Sequence, residues 1–242
     1  MTEPFPPFAS YLAVGDSMSI DKFPGPGLGA ASLLFKNADE VFPEFAGLDL
    51  HSLHPAVRFT NLARDGATTH DVARILKEDR PTLPGPGLVT LTLGGNDLLG
   101  SAFRPGSQTV RDIAVRIEHV VEQLLADLTP RVLLVATIYD PTDGVGDLFA
   151  PGRPLPEALT ALHTLNYAIR ALATRHPSVV IAEVHDHFLG HGSHHADQAN
   201  AHYSPKDPTC WVKLNIEPNR LGGSEVRRVF WRALCRGNAQ SG

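Results

Sequence analysis

Residues 12–20 read LAVGDSMSI, an apolar run that ends abruptly in Gly-Asp-Ser. A short apolar run bounded by turn residues is typical of a buried β-strand. The stretch therefore predicts a strand that ends near Gly15 and places Ser17 in the loop that follows. Whether Ser17 performs chemistry depends on which other side chains reach the same edge of the fold.

Five stretches in all are predicted as strands. They are YLAV at 11–14, VRFTNL at 57–62, LVTLTL at 88–93, RVLLVATI at 131–138 and SVVIAEV at 178–184. Several are rich in Val and Ile and apolar on both faces, which indicates a parallel sheet covered on both sides.

Helical patterns separate most of these strands. Apolar residues recur at spacings of three and four in the segments 68–79, 107–128, 156–175 and 224–234. Thr68 followed by Asp71 predicts a capped start for the first of them. Strands that alternate with helices predict a doubly wound α/β fold, whose sites lie at the carboxyl ends of the strands. Because neither a repeat nor a linker interrupts the pattern, one domain is expected over residues 1–242.

Composition excludes several classes of protein. The chain has 242 residues, of which 43% are apolar, and a net charge of -5 without the basic stripe of a nucleic-acid binder. Neither a membrane span of roughly 20 apolar residues nor a secretion signal is visible, so no nucleic-acid or membrane partner is expected. The two cysteines, Cys210 and Cys235, form no CxxC pair. A cytoplasmic protein with free thiols is therefore expected.

Three candidate catalytic groups follow the first three predicted strands. Ser17 follows the first, Gly66 lies in NLARDGATT after the second, and Asn96 lies in GGND after the third. Acyl transfer needs such a set, because a serine attacks the ester carbonyl while hydrogen-bond donors stabilise the oxyanion. The donors here would be the N–H groups of Ser17 and Gly66 and the Asn96 amide.

The sequence resembles the SGNH (GDSL-type) hydrolases in three motifs, VGDSMS, NLARDG and LGGND, which occur in the family's order. The resemblance implies a three-layer flavodoxin-like fold with a five-stranded parallel sheet. It also implies esterase or acyl hydrolase activity on a small-molecule or carbohydrate acyl ester, with Ser17 as nucleophile and Gly66 and Asn96 as oxyanion donors. A dinucleotide cofactor is not predicted, because GPGLG at 25–29 lacks the required glycine spacing.

The family's last motif departs from its usual form. The family usually has Asp-x-x-His before Pro, the His being the base, whereas this chain reads KLNIEP at 213–218. Alignment on the proline places Leu214 at the Asp position and Glu217 at the His position. One hypothesis is that Glu217 itself is the base, since burial can raise a carboxyl pKa toward about 6–7. Leu214, Ile216 and Trp211 are expected to provide that apolar environment.

Histidines after the fifth strand support other hypotheses. His185 and His187 follow that strand directly, and either could replace the missing base. The His-rich loop, residues 185–202, also offers imidazole and carboxylate ligands for a metal-assisted hydrolase, although its spacing matches no defined zinc signature. A further hypothesis is a ligand-binding domain on a scaffold that has lost catalysis.

Charged residues beside these motifs are expected to have structural roles. Asp16 and Asp97 flank two motif positions and are expected to brace their loops. Arg227 and Arg228, in the last predicted helix, are expected to be solvated.

Overall fold

The computed structural model describes residues 5–101, 107–148 and 150–239. Its centre is a five-stranded parallel sheet with the strand order β2-β1-β3-β4-β5. The strands are β1 (Ser10–Gly15), β2 (Arg58–Asn61), β3 (Gly87–Thr92), β4 (Val132–Ala136) and β5 (Val179–Ala182). The predicted α/β fold with five parallel strands is confirmed.

Helices connect the strands. The α-helices of the described residues are α1 (Ala30–Phe35), α2 (Leu50–Leu53), α3 (Thr69–Asp79), α4 (Gly95–Ser101), α5 (Ser107–Leu128), α6 (Pro156–Arg175), α7 (Val184–Phe188) and α8 (Arg220–Ala239). Helix α3 begins with the predicted capping box, in which Thr68 and Asp71 satisfy each other's backbone N–H groups. Within these residues, none of the helices has the length and apolarity that a membrane crossing requires.

Two apolar cores cover the two faces of the sheet. In β1, Tyr11 and Ala13 pack into the core that contains buried residues of α1 and α8. Leu12 and Val14 point the other way, into the core built with α3, α5 and α6. This alternation explains why the strand is apolar throughout, since both of its faces are buried.

The strand order reverses between β1 and β3, and their carboxyl ends pack tightly against each other. Gly15, at the end of β1, has a φ of +136°, and a Cβ built there would lie 2.1 Å from the carbonyl oxygen of Thr92. The contact therefore requires glycine. In open α/β sheets, ligands bind outside the strand ends at such a reversal.

A short hairpin precedes the last helix. Its strands are β6 (Val212–Lys213) and β7 (Glu217–Pro218), which pair antiparallel. Leu214 and Asn215 at its tip have left-handed φ angles of 49° and 69°. Leu214 is 72% exposed, so the expectation that it shields Glu217 is wrong.

Arg227 corrects another expectation, because it is fully buried rather than solvated. Its guanidinium donates to Asn37 Oδ1 at 3.1 Å and to Ser224 Oγ at 3.0 Å, and lies 3.4 Å from the ring centroid of Phe45. Burial lowers its pKa to about 10. The buried face of α8 runs through Arg227 and Phe230, so helical periodicity could have placed the arginine inside.

Candidate active site

Ser17 begins a 3-10 turn directly after β1 and is partly exposed. Asp16 holds this turn in place: its carboxylate accepts from the Met18 N–H at 3.1 Å, and its own N–H donates to Thr92 Oγ1 at 3.2 Å. Burial raises the pKa of the Asp16 carboxyl, and hydrogen bonds to the carboxylate from the Thr92 side chain and the Met18 N–H oppose the shift. The predicted bracing role of Asp16 agrees with this geometry.

Asn96 lies in the first turn of α4 and shares one cavity with Ser17. Its Nδ2 donates to the carbonyl oxygen of Ala67 at 3.1 Å, which ties α4 to the loop after β2. Gly66 precedes Ala67, is exposed and has a left-handed φ of +71°. The structure thus brings Ser17 and Asn96 to one cavity and places Gly66 in the loop that Asn96 holds.

Asp97 connects helix α4, which carries Asn96, to the neighbouring helices. Its carboxylate accepts from the Thr69 N–H at 2.9 Å and from Thr69 Oγ1 at 2.6 Å, and it lies 3.4 Å from Arg116 Nη2. These contacts join α4 to α3 and α5, in agreement with the expected bracing role.

Glu217, on β7, reaches the neighbourhood of Ser17. Burial raises the pKa of its carboxyl, while the Ser17 hydroxyl, acting as a hydrogen-bond donor, opposes that shift. The negative charges of Asp65 and Asp16 raise it further, and Lys22 lowers it. Its Oε2 atom is buried and has no hydrogen-bond partner in the described parts of the chain. A buried carboxylate oxygen without a donor is a stronger base than one held by hydrogen bonds.

Three side chains near this site were not predicted from the sequence. Tyr139, just after β4, is buried and donates a hydrogen bond to the carbonyl oxygen of Ile216, the residue before Glu217. Lys22 and Asp65 form an exposed ion pair beside Glu217. Tyr139 lies at the carboxyl edge of the sheet, which was a usable signal, whereas the ion pair joins two loops that no sequence pattern connects.

The two candidate histidines occupy other surroundings. The buried His185 has Nδ1 2.9 Å from Asp186 Oδ1 and packs edge-on against the His163 ring. His187 has Nε2 2.7 Å from Glu225 Oε2, between α7 and α8. The lining of the cavity beside Ser17 includes neither ring. Both rings thus face other carboxylates, whereas the Glu217 carboxyl interacts with the Ser17 hydroxyl.

The His-rich loop packs against the loop that follows β4. Asp143, which is buried, accepts backbone N–H groups of Gly190 and Gly192 on Oδ1 and of His194 on Oδ2, at 2.8–2.9 Å. His194 in turn places Nε2 2.9 Å from Asp147 Oδ1. His194 thus takes part in a structural network between the two loops.

A group of potential metal ligands lies elsewhere on the molecule. Among the residues described, ligand atoms converge at Glu118, Glu122 and His176, which are partly or fully exposed. Arg175 donates to Glu118 at 2.7 Å, so this carboxylate is already paired. The convergence does not involve the His-rich loop, and the metal-assisted hypothesis gains no support from the geometry.

The fold and site together are those of an SGNH-type hydrolase, because the strand order of the parallel sheet reverses beside the turn that carries Ser17. The chain belongs to the GDSL-like lipase/acylhydrolase family, whose profile matches residues 13–216. The predicted resemblance to that family is confirmed. No curated protein matches the sequence.

Solved structures share the fold at low sequence identity. A lipolytic G-D-S-L family member from Veillonella parvula has a TM-score of 0.62 at 14% identity, covering 94% of this chain and 98% of its own. The acetylxylan esterase Axe2 from Geobacillus stearothermophilus has a TM-score of 0.62 at 15% identity, with 96% of each chain covered. LAE5, an α/β hydrolase from the Lake Arreo metagenome, has a TM-score of 0.60 at 18% identity, over 96% and 97%.

Proposed function

We propose that this protein hydrolyses acyl esters through an acyl-Ser17 intermediate, with Glu217 as the general base. The observation that supports this most is the position of the Glu217 carboxylate beside the Ser17 hydroxyl, with its pKa raised by burial. A free glutamate, with a pKa of about 4.3, is a weak base at neutral pH. Burial makes the carboxylate a stronger base, because the ionised form loses contact with water and the protonated form, which is neutral, does not need it.

In the proposed mechanism, Ser17 Oγ attacks the carbonyl carbon while Glu217 accepts the hydroxyl proton. The Ser17 and Gly66 N–H groups and the Asn96 amide donate to the oxyanion of the tetrahedral intermediate. Collapse expels the alcohol, which takes the proton from Glu217. Water then attacks the acyl carbonyl while Glu217 accepts its proton, and collapse of the second tetrahedral intermediate releases the acid as Ser17 Oγ takes that proton from Glu217.

The tests are covalent labelling and turnover. A fluorophosphonate probe should modify the wild-type protein at Ser17, and p-nitrophenyl acetate turnover should disappear in Ser17→Ala. Ser19→Ala is the matched control, because Ser19 lies on the same turn, buried against Thr92, and labelling at Ser17 should persist. Labelling at another residue, or unchanged turnover in Ser17→Ala, would contradict the proposal. Ester binding without labelling or turnover would favour the ligand-binding hypothesis.

The expected substrates are small-molecule or carbohydrate esters, a range that the resemblance to the family suggests. The acetylxylan esterases among the structural neighbours fit that range.

A further inference from the structure

A largely apolar cavity of about 130 Å³ opens beside Ser17. Its walls come largely from two helices, α4 and α6. Helix α4 contributes Leu98 and Leu99, and α6 contributes Ala158, Leu159, Ala161 and Leu162.

The two side chains that would contact an ester carbonyl, Ser17 and Asn96, belong to the cavity lining. Asp140 lines it as well, but its two carboxylate oxygens already accept hydrogen bonds from Thr142 and Gly144. Asp16, Ser101, Tyr139 and Thr142 complete the polar part of the lining, and the rest of the wall between α4 and α6 is hydrocarbon. An extended apolar group attached to the carbonyl therefore fits this space.

From this cavity we infer that the protein selects esters of medium-chain acyl groups, of about four to eight carbons, over acetyl esters. The inference rests on the proposed function and names the substrate class of the same site. A dry apolar cavity of about 150 Å³ holds benzene, a six-carbon ring, so the volume here suits a chain of similar size. An acetyl group would leave most of the walls without contact.

The distribution of charged side chains around Ser17 indicates that the cavity binds the acyl part of the ester rather than the alcohol part. Glu217, which returns its proton to the leaving alcohol, is absent from the cavity lining. It lies instead beside the ion pair of Lys22 and Asp65, whose side chains are exposed. The alcohol therefore leaves on this polar side, and the acyl chain occupies the opposite, apolar side.

The test measures kcat/KM for p-nitrophenyl esters from acetate to dodecanoate. Each methylene that becomes buried should raise kcat/KM by up to about fourfold, since its transfer from water is worth about 0.8 kcal/mol. The profile should rise at least about tenfold from acetate to an optimum between butanoate and octanoate. It should fall for longer chains, because the cavity is then filled.

Variants of the cavity wall should move this optimum in opposite directions. Ala158→Leu fills the space and should shift the optimum toward acetate, whereas Leu99→Ala enlarges it and should favour longer chains. Ala168→Leu is the matched control, because Ala168 lies on the same helix but lines a separate surface groove. Its chain-length profile should match that of the wild-type protein.

The outcomes separate this inference from the proposed function. Labelling at Ser17 together with a flat profile, or with acetate preferred, would overturn the inference and leave the proposed function standing. An optimum that Ala158→Leu and Leu99→Ala do not move would also overturn it. If no ester is turned over and Ser17 stays unlabelled, the proposed function fails, and the acyl assignment fails with it.

Discussion

Two carboxylates of this molecule, the buried Asp143 and the half-buried Glu217, have opposite surroundings. Asp143, after β4, accepts three backbone N–H groups from the His-rich loop. Glu217, on the hairpin, keeps one buried oxygen without a donor in the described chain, and burial raises its pKa. Backbone donors hold the first carboxylate in place, whereas burial makes the charged form of the second less favourable.

The difference distinguishes a carboxylate that has a structural role from one that is suited to accept a proton. A carboxylate whose two oxygens accept backbone N–H groups holds a loop in place. A carboxylate that has one buried oxygen without a donor and lies beside a hydroxyl gains from accepting a proton. Asp147, next to the first site, fits the pattern: hydrogen bonds from Gly152 and His194 overcome the effect of burial and lower its pKa.

The largest expected effect is the loss of catalysis when the Glu217 carboxylate is removed. Glu217→Gln keeps the shape of the side chain and removes its basicity, so kcat/KM should fall by about 10³–10⁴-fold. In the wild-type protein, kcat/KM should rise with pH through the pKa of Glu217, because only the ionised carboxylate can act as a base. Steady-state kinetics across pH measure both.

A histidine base would give a different pattern of variants. If Glu217→Gln retains activity within about tenfold of the wild type while His185→Ala or His187→Ala abolishes it, the comparison fails. The base would then belong to the loop after β5.

The next effect concerns the oxyanion. Asn96→Ala should lower kcat by about 10²–10³-fold with little change in KM, because the amide contact strengthens mainly in the transition state. Substrate-saturation curves separate the two constants. A variant that changes only KM would assign Asn96 to substrate binding.

Asp143→Asn tests whether the Asp143 carboxylate stabilises the folded protein. Asparagine keeps one acceptor oxygen and tolerates the left-handed φ of 52° at this position, but its NH₂ group would face the His194 N–H. Loss of this charged hydrogen bond should cost about 1.5–3 kcal/mol and lower Tm by about 3–10 °C. Asp127→Asn, an exposed position on α5, is the control in thermal denaturation and should leave Tm unchanged. Equal Tm values for the two variants would remove the structural role of Asp143.

The smallest effect is a gain in stability at Glu217 itself. Burial raises its pKa in the folded protein, so the ionised carboxylate destabilises the fold as pH rises from the unfolded pKa through the folded pKa. Glu217→Gln should therefore raise Tm by about 1–3 °C at pH 7, and the gain should shrink as pH falls toward about 4. A lower Tm at pH 7 would mean that the carboxylate is held by favourable contacts.

The sheet and its long helices were predictable because their signals are local. Each strand is a short apolar run between turn residues, and α5 and α6 repeat apolar residues with helical spacing. The positions of Ser17, Gly66 and Asn96 at strand ends followed from parallel topology, since carboxyl ends of parallel strands share one edge.

The missed features depend on contacts between distant segments. The network that binds the His-rich loop joins Asp143 to residues 190–194, about fifty positions later. The apolar cavity needs α4 and α6 side by side, and the exposure of Leu214 depends on how the hairpin turns at its tip. None of these arrangements has a spacing that the sequence reveals.

The close approach of Gly15 to Thr92 has a consequence for how such an enzyme changes during evolution. Because there is no room for a side chain at Gly15, the contact between the ends of β1 and β3 tolerates almost no substitution at that position. The cavity wall on α6, and the hairpin that carries Glu217, lie outside this contact. New substrate ranges, and a different residue at position 217, can therefore arise in these parts while the strand ends stay the same.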